Sequence, residues 1–395
     1  MEYSKNIESL SSSMTLAFST KAKNLIANGV PIVDLTAGEP DFDTPEYIRK
    51  AGINAINTGK TRYTASNGTL ELRTEICRKL KEFNNLEYNP ANIIVSTGAK
   101  QSLLNTLMAI CNPGDEVLIP SPYWVSYPEM TKIASGKPVI VETNYDNDFK
   151  VTPSDLDKYL TSKSKVLILT NPSNPTGAVY SKSDLEALAS WAIKNKIFVI
   201  SDEIYERLNY YSKHTSIASL NEKIKEQTIT IGGFSKSYAM TGWRLGYCAA
   251  NDNITTLMGK IQSHATSCAN SVAQYAGYIA LKDEENQIDD MVKEFKKRSE
   301  IVYNLISNSN LTMVKPQGAF YGFIDVSYII GKTYNNSIIS NASEVASILL
   351  DDYEVALLPG IAFGNDKYVR ISYATNEDII NEGIKRLIKL TEDVK

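Results

Sequence analysis

The sequence contains 395 residues, of which 43% are hydrophobic and 22% are charged, and its formal net charge is −4 at pH 7. This composition is typical of a folded globular protein and excludes a largely disordered chain. Because the small negative charge provides no general basic field, nucleic-acid binding has little electrostatic support, and we expect a small-molecule partner instead.

The N-terminal segment MEYSKNIESLSSSMT is polar, and no apolar run approaches the length of about 18 residues that a membrane-spanning helix needs. We therefore expect neither an export signal nor a membrane span, and we predict a cytoplasmic protein. The two histidines are far apart in sequence; we place His214 on a loop surface and His264 in a helix, and we expect no metal site. The cysteines are widely spaced without a CxxC pair, which argues against zinc or disulfides; they are Cys77, Cys111, Cys248 and Cys268.

Short apolar runs alternate with helical patterns between about residues 92 and 250. The runs are IIVS, EVLIP, PVIVE, VLILT, FVISD, TITIG and GYCAA. Each run is apolar at consecutive positions, as expected for strands that are covered on both faces. Between them lie amphipathic stretches such as SDLEALASWAIKNK, residues 183–196. This order predicts an α/β fold with a mostly parallel sheet.

A charged amphipathic stretch at residues 284–307 follows and is suited to linking two domains. After it come helical patterns at 343–351 and 376–391, among the strand-like pieces TMVKPQGAFYGFIDV, VALLPGIAFG and YVRISYAT. These elements predict a second, smaller α+β domain that the N-terminal segment completes. The predicted division is an N-terminal arm with part of the small domain (1–45), a large domain (46–285) and a C-terminal small domain (286–395).

Small, aromatic and ionisable residues follow strand after strand at the same end. They are TGAK after IIVS, SPYW after EVLIP, NPSNPTG after VLILT, DEIY after FVIS, and GFSKSYAMTGWR after TITIG. Ligands of open α/β sheets bind outside the carboxyl ends of the strands. The clustering therefore predicts a binding site at this edge of the sheet.

TGAK runs directly into a helical pattern, so the backbone amides near Gly98, Ala99 and Lys100 form a natural anion seat at a helix N-terminus. Taken alone, the tetrapeptide is also compatible with a plain strand-to-helix turn. Ser235 and Arg244 add a hydroxyl and a guanidinium that suit a phosphate group. Because the sequence contains neither GxxxxGK[ST] nor a GxGxxG that opens a helix after a strand, we predict a phosphorylated cofactor that is not a nucleotide.

Lys236 lies in SKSYAMTGWRLGY, residues 235–247, among small, hydroxyl and aromatic residues. A partly desolvated lysine near other cations has a lowered pKa and can act as an amine nucleophile that forms a Schiff base with an aldehyde. Pyridoxal phosphate offers both an aldehyde and a phosphate. The alternative is a buried lysine that forms a structural salt bridge.

Several motifs together resemble the fold type I pyridoxal-phosphate aminotransferases of class I, in particular the bacterial aspartate aminotransferase branch Ib. They are SKSYAMTGWRLGY, NPSNPTGAVY, SDEIYE, TAGEPDFDTP, SPYWVSYPEM and VRISYAT, and the resemblance extends from about residue 13 to the C-terminus. It implies a mostly parallel seven-stranded sheet in the large domain, a smaller α+β domain, bound pyridoxal 5′-phosphate and a homodimer with composite active sites.

The resemblance implies roles for residues around the cofactor. Lys236 forms the Schiff base and shuttles the substrate proton, and Asp202 pairs with the protonated ring nitrogen. Tyr205 and Asn174 bind the phenolic oxygen of the cofactor, and Trp124 stacks on its ring. The phosphate contacts are Gly98, Ala99, Lys100, Ser235 and Arg244. Read in isolation, Asp202 could also be a helix cap, and Trp124 a core residue.

The resemblance also implies the substrate contacts. Arg370 binds the α-carboxylate with its planar fork, and Gly38 lets the backbone approach that carboxylate. Trp124 and Asn174 also face the substrate. Tyr63 reaches the phosphate of the neighbouring subunit's cofactor, although it could instead be a packed surface tyrosine.

Lys100, Ser13 and Thr15 are the expected contacts for a distal carboxylate of the substrate, with a solvated lysine as the alternative reading of Lys100. The implied reaction converts L-aspartate and 2-oxoglutarate into oxaloacetate and L-glutamate by a ping-pong mechanism. Prephenate or aromatic amino acids are alternative substrates. A fold type I lyase and a non-catalytic cofactor-binding regulator are further alternatives, and no basic helix-turn-helix is evident for the latter.

Overall fold

The structure is a computed structural model that describes residues 3–11, 14–283 and 287–395. The strands are β1 (Val33–Asp34), β2 (Ile93–Ser96), β3 (Glu116–Ser121), β4 (Lys137–Glu142), β5 (Ser164–Thr170), β6 (Phe198–Asp202), β7 (Thr228–Gly233), β8 (Gly246–Ala249), β9 (Thr312–Met313), β10 (Tyr321–Asp325), β11 (Thr333–Tyr334), β12 (Ser337–Ile338), β13 (Val355–Ala356), β14 (Leu358–Pro359) and β15 (Tyr368–Ser372). The helices are α1 (Lys5–Glu8), α2 (Met14–Ala27), α3 (Glu46–Asn57), α4 (Leu70–Asn84), α5 (Ala99–Ile110), α6 (Ser126–Ile133), α7 (Pro153–Asp157), α8 (Lys182–Asn195), α9 (Glu222–Gln227), α10 (Asp252–Ala265), α11 (Ser271–Lys282), α12 (Gln287–Ser307), α13 (Ala342–Asp352) and α14 (Glu377–Asp393).

The predicted mostly parallel sheet is confirmed, and each of the apolar runs forms one of its strands. The sheet has seven strands in the order β2-β8-β7-β6-β5-β3-β4. Strands β4, β3, β5, β6 and β7 run parallel to one another, whereas β8 is antiparallel to both β2 and β7. The carboxyl ends of β5, β6 and β7 therefore lie side by side at one edge.

Helices cover both faces of this sheet, which explains the consecutive apolar residues. In β5, Val166 and Ile168 pack in the core formed with α5, α6 and α10. The alternate residues Leu167 and Leu169 pack on the opposite face, where α8 contributes Leu188. Because side chains alternate along a strand, both faces of β5 must be apolar when both are buried.

A second, antiparallel sheet has the order β14-β15-β10-β9. In its register, Phe323 of β10 lies opposite Arg370 of β15, and Tyr321 lies opposite Ser372. Helices α12, α13 and α14 pack against this part of the fold. The domain boundaries proposed above stay a prediction.

The N-terminal segment runs along both parts of the fold. Its first helix lies against α6, where the side-chain amide of Asn6 donates to the carbonyl of Lys132 at 2.9 Å. Strand β1 then pairs with β13, and the amide of Ser372 donates to the carbonyl of Leu35 at 2.8 Å. This route brings the segment around residues 36–39 beside β15. Over the described parts of the chain, the helices are too short or too polar to cross a membrane.

Candidate active site

A cavity of about 430 Å³ lies where the carboxyl ends of β5, β6 and β7 face the second sheet. Most of the residues singled out from the sequence line it: Thr15, Gly38, Ala99, Lys100, Trp124, Asn174, Asp202, Tyr205, Ser235, Lys236, Arg244 and Arg370. The structure therefore collects residues from widely separated motifs around one space.

Two of the candidate residues that the structure describes do not line the cavity. Gly98 lies immediately behind it, next to Arg244. Tyr63 is 90% exposed and is not brought to the cavity of its own chain, so its role toward a neighbouring subunit stays a prediction. Ser13 falls outside the described residues.

Lys236 follows β7 and directs its amine into the cavity, where Nζ donates to the carbonyl oxygen of Gly38. Burial lowers the pKa of Lys236 to about 8, and the positive charges of Arg370 and Arg244 add to the decrease, against an opposing effect of Glu39. A larger fraction of the amine is therefore unprotonated near neutral pH than in an exposed lysine, although the protonated form still predominates. The unprotonated amine is a nucleophile.

Asp202 ends β6 and is buried at the floor of the cavity. Its Oδ2 accepts a hydrogen bond from the hydroxyl of Tyr127 at 2.7 Å, and its Oδ1 accepts one from the amide of Ile204 at 3.3 Å. Burial raises the pKa of Asp202 to about 6, although these two hydrogen bonds oppose the increase. A buried carboxylate that is fixed in this way is suited to a protonated ring nitrogen.

The turn before α5 lies beside Arg244, an arrangement compatible with the predicted anion seat. Gly98 has φ 82° and ψ 157°, and a Cβ at this position would lie 2.4 Å from Nη2 of Arg244. Only glycine therefore leaves room for the guanidinium beside the first amides of α5, which have no carbonyl partner within the helix. Nη1 of Arg244 donates to the carbonyl of Thr241 at 2.8 Å, which fixes the side chain. Helix α5 begins at Ala99, two residues earlier than its apolar pattern suggested.

Arg370 is buried and has an N–H group available for a ligand. Nη1 donates to Oδ1 of Asn174 at 3.3 Å, and Nη2 donates to the carbonyl of Thr36 at 3.1 Å. Nε is buried and has no acceptor among the described residues. Burial lowers the pKa of Arg370, because the charged form is desolvated. A buried guanidinium with an unpaired N–H is suited to a carboxylate from the ligand.

Tyr205 and Tyr321 form a hydroxyl pair on the side of the cavity that faces the second sheet. Their hydroxyl oxygens are 3.0 Å apart, and both side chains are buried.

Tyr321 was not identified from the sequence, and neither were Tyr127 and Thr36. Tyr127 and Thr36 lie within the quoted motifs SPYWVSYPEM and TAGEPDFDTP, but their side chains were not singled out there, and Tyr321 lies in a strand of the second sheet.

Lys100 and Trp124 meet at the edge of the cavity. The Lys100 Nζ lies 4.8 Å from the centre of the Trp124 ring. Burial of the ammonium group against its neighbours, followed by repulsion from Arg244, lowers the pKa of Lys100. Thr15, at the start of α2, lines the same cavity. These positions are compatible with contact to a substrate side chain.

The interpretation of His214 as a surface residue was wrong. His214 is 5% exposed, and its Nε2 lies 2.9 Å from Oε2 of Glu203. It belongs to a buried ion network that also contains Glu206, Asn84 and Lys79. In this network, Nζ of Lys79 donates to Oε1 of Glu206. Nδ2 of Asn84 donates to Oε2 of Glu206 at 2.7 Å. Lys79 pairs with the carboxylate of Glu206, whereas Glu203 accepts hydrogen bonds from Asn84, Ser201 and Ser216. The network lies directly behind the segment that carries Asp202 and Tyr205.

Comparisons with known proteins agree with this geometry. The profile of the family described as aminotransferase class I and II matches residues 30–387. The aspartate aminotransferase of Bacillus subtilis is 42% identical over 394 residues, which is 99% of this chain and 99% of that protein. The aspartate/prephenate aminotransferase of Nitrosomonas europaea is 40% identical, with 99% of this chain and 100% of that protein covered. The crystal structure of the aspartate aminotransferase from Rhizobium meliloti matches with a TM-score of 0.96 at 36% identity, with 100% of both chains covered.

Proposed function

The chain belongs to the class I and II aminotransferases, and we propose that it uses pyridoxal 5′-phosphate to convert L-aspartate and 2-oxoglutarate into oxaloacetate and L-glutamate. One observation carries the proposal: a nucleophilic amine, a buried carboxylate and an anion seat face the same cavity. They are contributed by Lys236, Asp202 and the pair Gly98–Arg244. The names of the relatives support aspartate as the amino donor.

The residues present fit the cofactor. When bound, pyridoxal phosphate supplies an aldehyde that takes up the amino group and a ring that withdraws electrons from the substrate Cα. Arg244, Ser235 and the first amides of α5 would bind the phosphate. Asp202, oriented by Tyr127, would hold the proton of the ring nitrogen, and burial of the carboxylate would strengthen this charge pair because little water competes.

Lys236 carries the proton in the reaction. Its Nζ, with a pKa of about 8, would accept the proton from the substrate Cα and would hold it within the cavity for its return. The carbonyl of Gly38 accepts a hydrogen bond from Nζ and so keeps the amine on the inner side of the cavity.

Substrate recognition begins at the α-carboxylate. Arg370 binds it through Nε and one terminal nitrogen, while Asn174 and Thr36 keep the guanidinium plane fixed. Lys100 then contacts the distal carboxylate of aspartate or glutamate, together with Thr15. Prephenate is a second candidate acceptor, which is favoured by the relative named for both activities.

We propose that the active unit is a cytoplasmic homodimer. The large exposed ring of Tyr63, on the segment before α4, supports a contact with a second subunit. All four cysteines are free thiols, which supports a reducing compartment.

Borohydride reduction of the protein with bound cofactor tests the central step. We expect a pyridoxyl group on Lys236 in the peptide mass map and no such group in Lys236→Ala. Steady-state rates with aspartate, prephenate, phenylalanine and alanine, or their 2-oxo acids, then define the substrate. Release of ammonia without a 2-oxo acid would instead indicate a lyase, and a clear preference for alanine would contradict the role of Lys100.

A further inference from the structure

We propose that Tyr321 is a positioning residue that directs the hydroxyl proton of Tyr205 toward the cofactor. This inference rests on the proposed function, because it concerns how the phenolic oxygen of the cofactor is bound. Because Tyr321 lies in the second sheet, that sheet would influence the pKa of the group that the cofactor forms with Lys236.

The hydrogen bond between the two hydroxyl groups can run in either direction, and only one direction leaves the proton of Tyr205 free for the cofactor. Tyr321 and Tyr205 are 1% and 4% exposed, and their hydroxyl oxygens are 3.0 Å apart, so water does not readily replace either partner. Each hydroxyl has one proton to donate. If Tyr205 donates its proton to the cofactor, Tyr321 must donate to Tyr205. A hydroxyl that accepts a hydrogen bond is a stronger donor in turn, because hydrogen bonds in a chain polarise one another.

Arg370 favours this direction. Its guanidinium carbon lies 4.3 Å from the centre of the Tyr321 ring. The register explains the contact: Arg370 lies opposite Phe323, which is two residues beyond Tyr321 on the same strand, so Tyr321 and Arg370 are diagonal neighbours on one face of the sheet. The nearby positive charge makes the phenol of Tyr321 a better donor than acceptor.

The position of Tyr321 is also restricted from other directions. Its ring lies 4.6 Å from that of Phe320 and meets the ring of Tyr205 edge-on, with centres 5.9 Å apart. Gly38 is close on the cavity side, since a Cβ there would lie 3.9 Å from the Tyr321 hydroxyl. The hydroxyl of Tyr321 is therefore held at one place by its surroundings, as a positioning residue requires.

The substitution Tyr321→Phe separates the hydroxyl from the ring, because phenylalanine keeps the contact with Arg370. We expect the pH midpoint of the cofactor's visible absorbance change to rise by roughly 0.4–1 pH unit, since one neutral hydrogen bond no longer supports the unprotonated form. We expect kcat to fall roughly 2- to 10-fold while the KM for aspartate changes little. Tyr321→Leu also removes the ring and should raise KM as well.

A matched control is Tyr373→Phe. Tyr373 is also fully buried, and its hydroxyl lies 3.4 Å from that of Tyr210, but it does not line the cavity. This variant removes the same atom from a similar tyrosine pair and should leave the pH midpoint unchanged. A merely structural role of Tyr321 would give both variants the same effect, and that result would overturn the inference.

The double variant Tyr205→Phe/Tyr321→Phe tests whether Tyr321 acts through Tyr205. We expect its pH midpoint to equal that of Tyr205→Phe alone. A midpoint in Tyr321→Phe that matches the wild type, or an undiminished shift in the double variant, would overturn the inference while leaving the proposed function intact. A wild-type protein with no pH-dependent visible band and no reducible cofactor on Lys236 would overturn both.

Discussion

Replacing Gly98 by alanine is a direct test of the anion seat, because the substitution adds one methyl group beside Arg244. The new Cβ would lie 2.4 Å from Nη2 of Arg244, so the guanidinium must move away from the first amides of α5. Gly98 also has φ 82° and ψ 157°, a conformation that is essentially restricted to glycine. Two separable effects follow, a loss of stability and a loss of phosphate affinity.

The expected magnitudes come from these two features. The backbone conformation should lower the free energy of unfolding by about 1–3 kcal/mol. Displacing one charge-assisted hydrogen-bond donor costs about 1.5–3 kcal/mol, which weakens the affinity for pyridoxal phosphate roughly 10- to 150-fold. Gly114→Ala is the matched control, since Gly114 also has a positive φ of 87° but no neighbouring atom within 4 Å of the added Cβ.

The assay titrates the apo-protein with pyridoxal phosphate and, separately, with pyridoxal, which lacks the phosphate, and follows tryptophan fluorescence. Gly98→Ala should lose affinity for the phosphorylated compound only, and Gly114→Ala should keep its affinity for both. Wild-type affinity for pyridoxal phosphate in Gly98→Ala, or an equal loss for pyridoxal, would refute the placement of the phosphate at this turn.

Other substitutions test the remaining parts of the site. Burial raises the pKa of Asp202 to about 6, above its value of about 3.9 in an unfolded chain. The folded apo-protein therefore binds this proton more tightly than the unfolded chain does. Its free energy of unfolding should fall as the pH rises from about 4 to about 6. In urea unfolding, the free energy of unfolding of Asp202→Asn minus that of the wild type should therefore increase by about 1–2 kcal/mol between roughly pH 5 and pH 7.5. Transamination is lost in this variant. A difference in the free energy of unfolding that stays constant with pH would contradict the expectation. Arg370→Lys should raise the KM for aspartate roughly 10- to 150-fold, because an ammonium group cannot replace the planar fork, and an unchanged KM would place the carboxylate elsewhere. Lys79→Ala should lower the free energy of unfolding by about 3–5 kcal/mol, because Glu206 stays buried without a cation. The urea midpoint should recover in part when Glu206→Gln is added, and no recovery would show that the loss has another cause.

The strands of the large sheet were predictable because burial on both faces requires apolar residues at consecutive positions in the sequence. Val166, Leu167, Ile168 and Leu169 alternate between two cores, so every position must be apolar. The antiparallel direction of β8 could not be predicted in this way, since its apolar residues would suit a strand of either direction. TGAK was placed at a helix N-terminus, but the exact start of α5 at Ala99 was not fixed, because its first residues do not follow the apolar period.

The site was predictable where geometry follows from chain order. Residues directly after parallel strands share one edge, which is why Asp202 and Lys236 could be placed together. Tyr127 and Tyr321 reach the site from the first turns of α6 and from the second sheet, and a tyrosine there looks like any core tyrosine. His214 was misplaced for a similar reason: its burial depends on Glu203 and on α4, which the local sequence does not reveal.

The unpaired Nε–H of Arg370 should also disfavour amines that carry no carboxylate. A decarboxylated amine could enter a cavity of this size, but the buried N–H would then have no acceptor, at a cost of about 1–3 kcal/mol on top of the lost ion pair. Polyamines and other products of decarboxylation should therefore bind more weakly than amino acids, although no steric barrier excludes them, because they offer no carboxylate oxygen to this nitrogen.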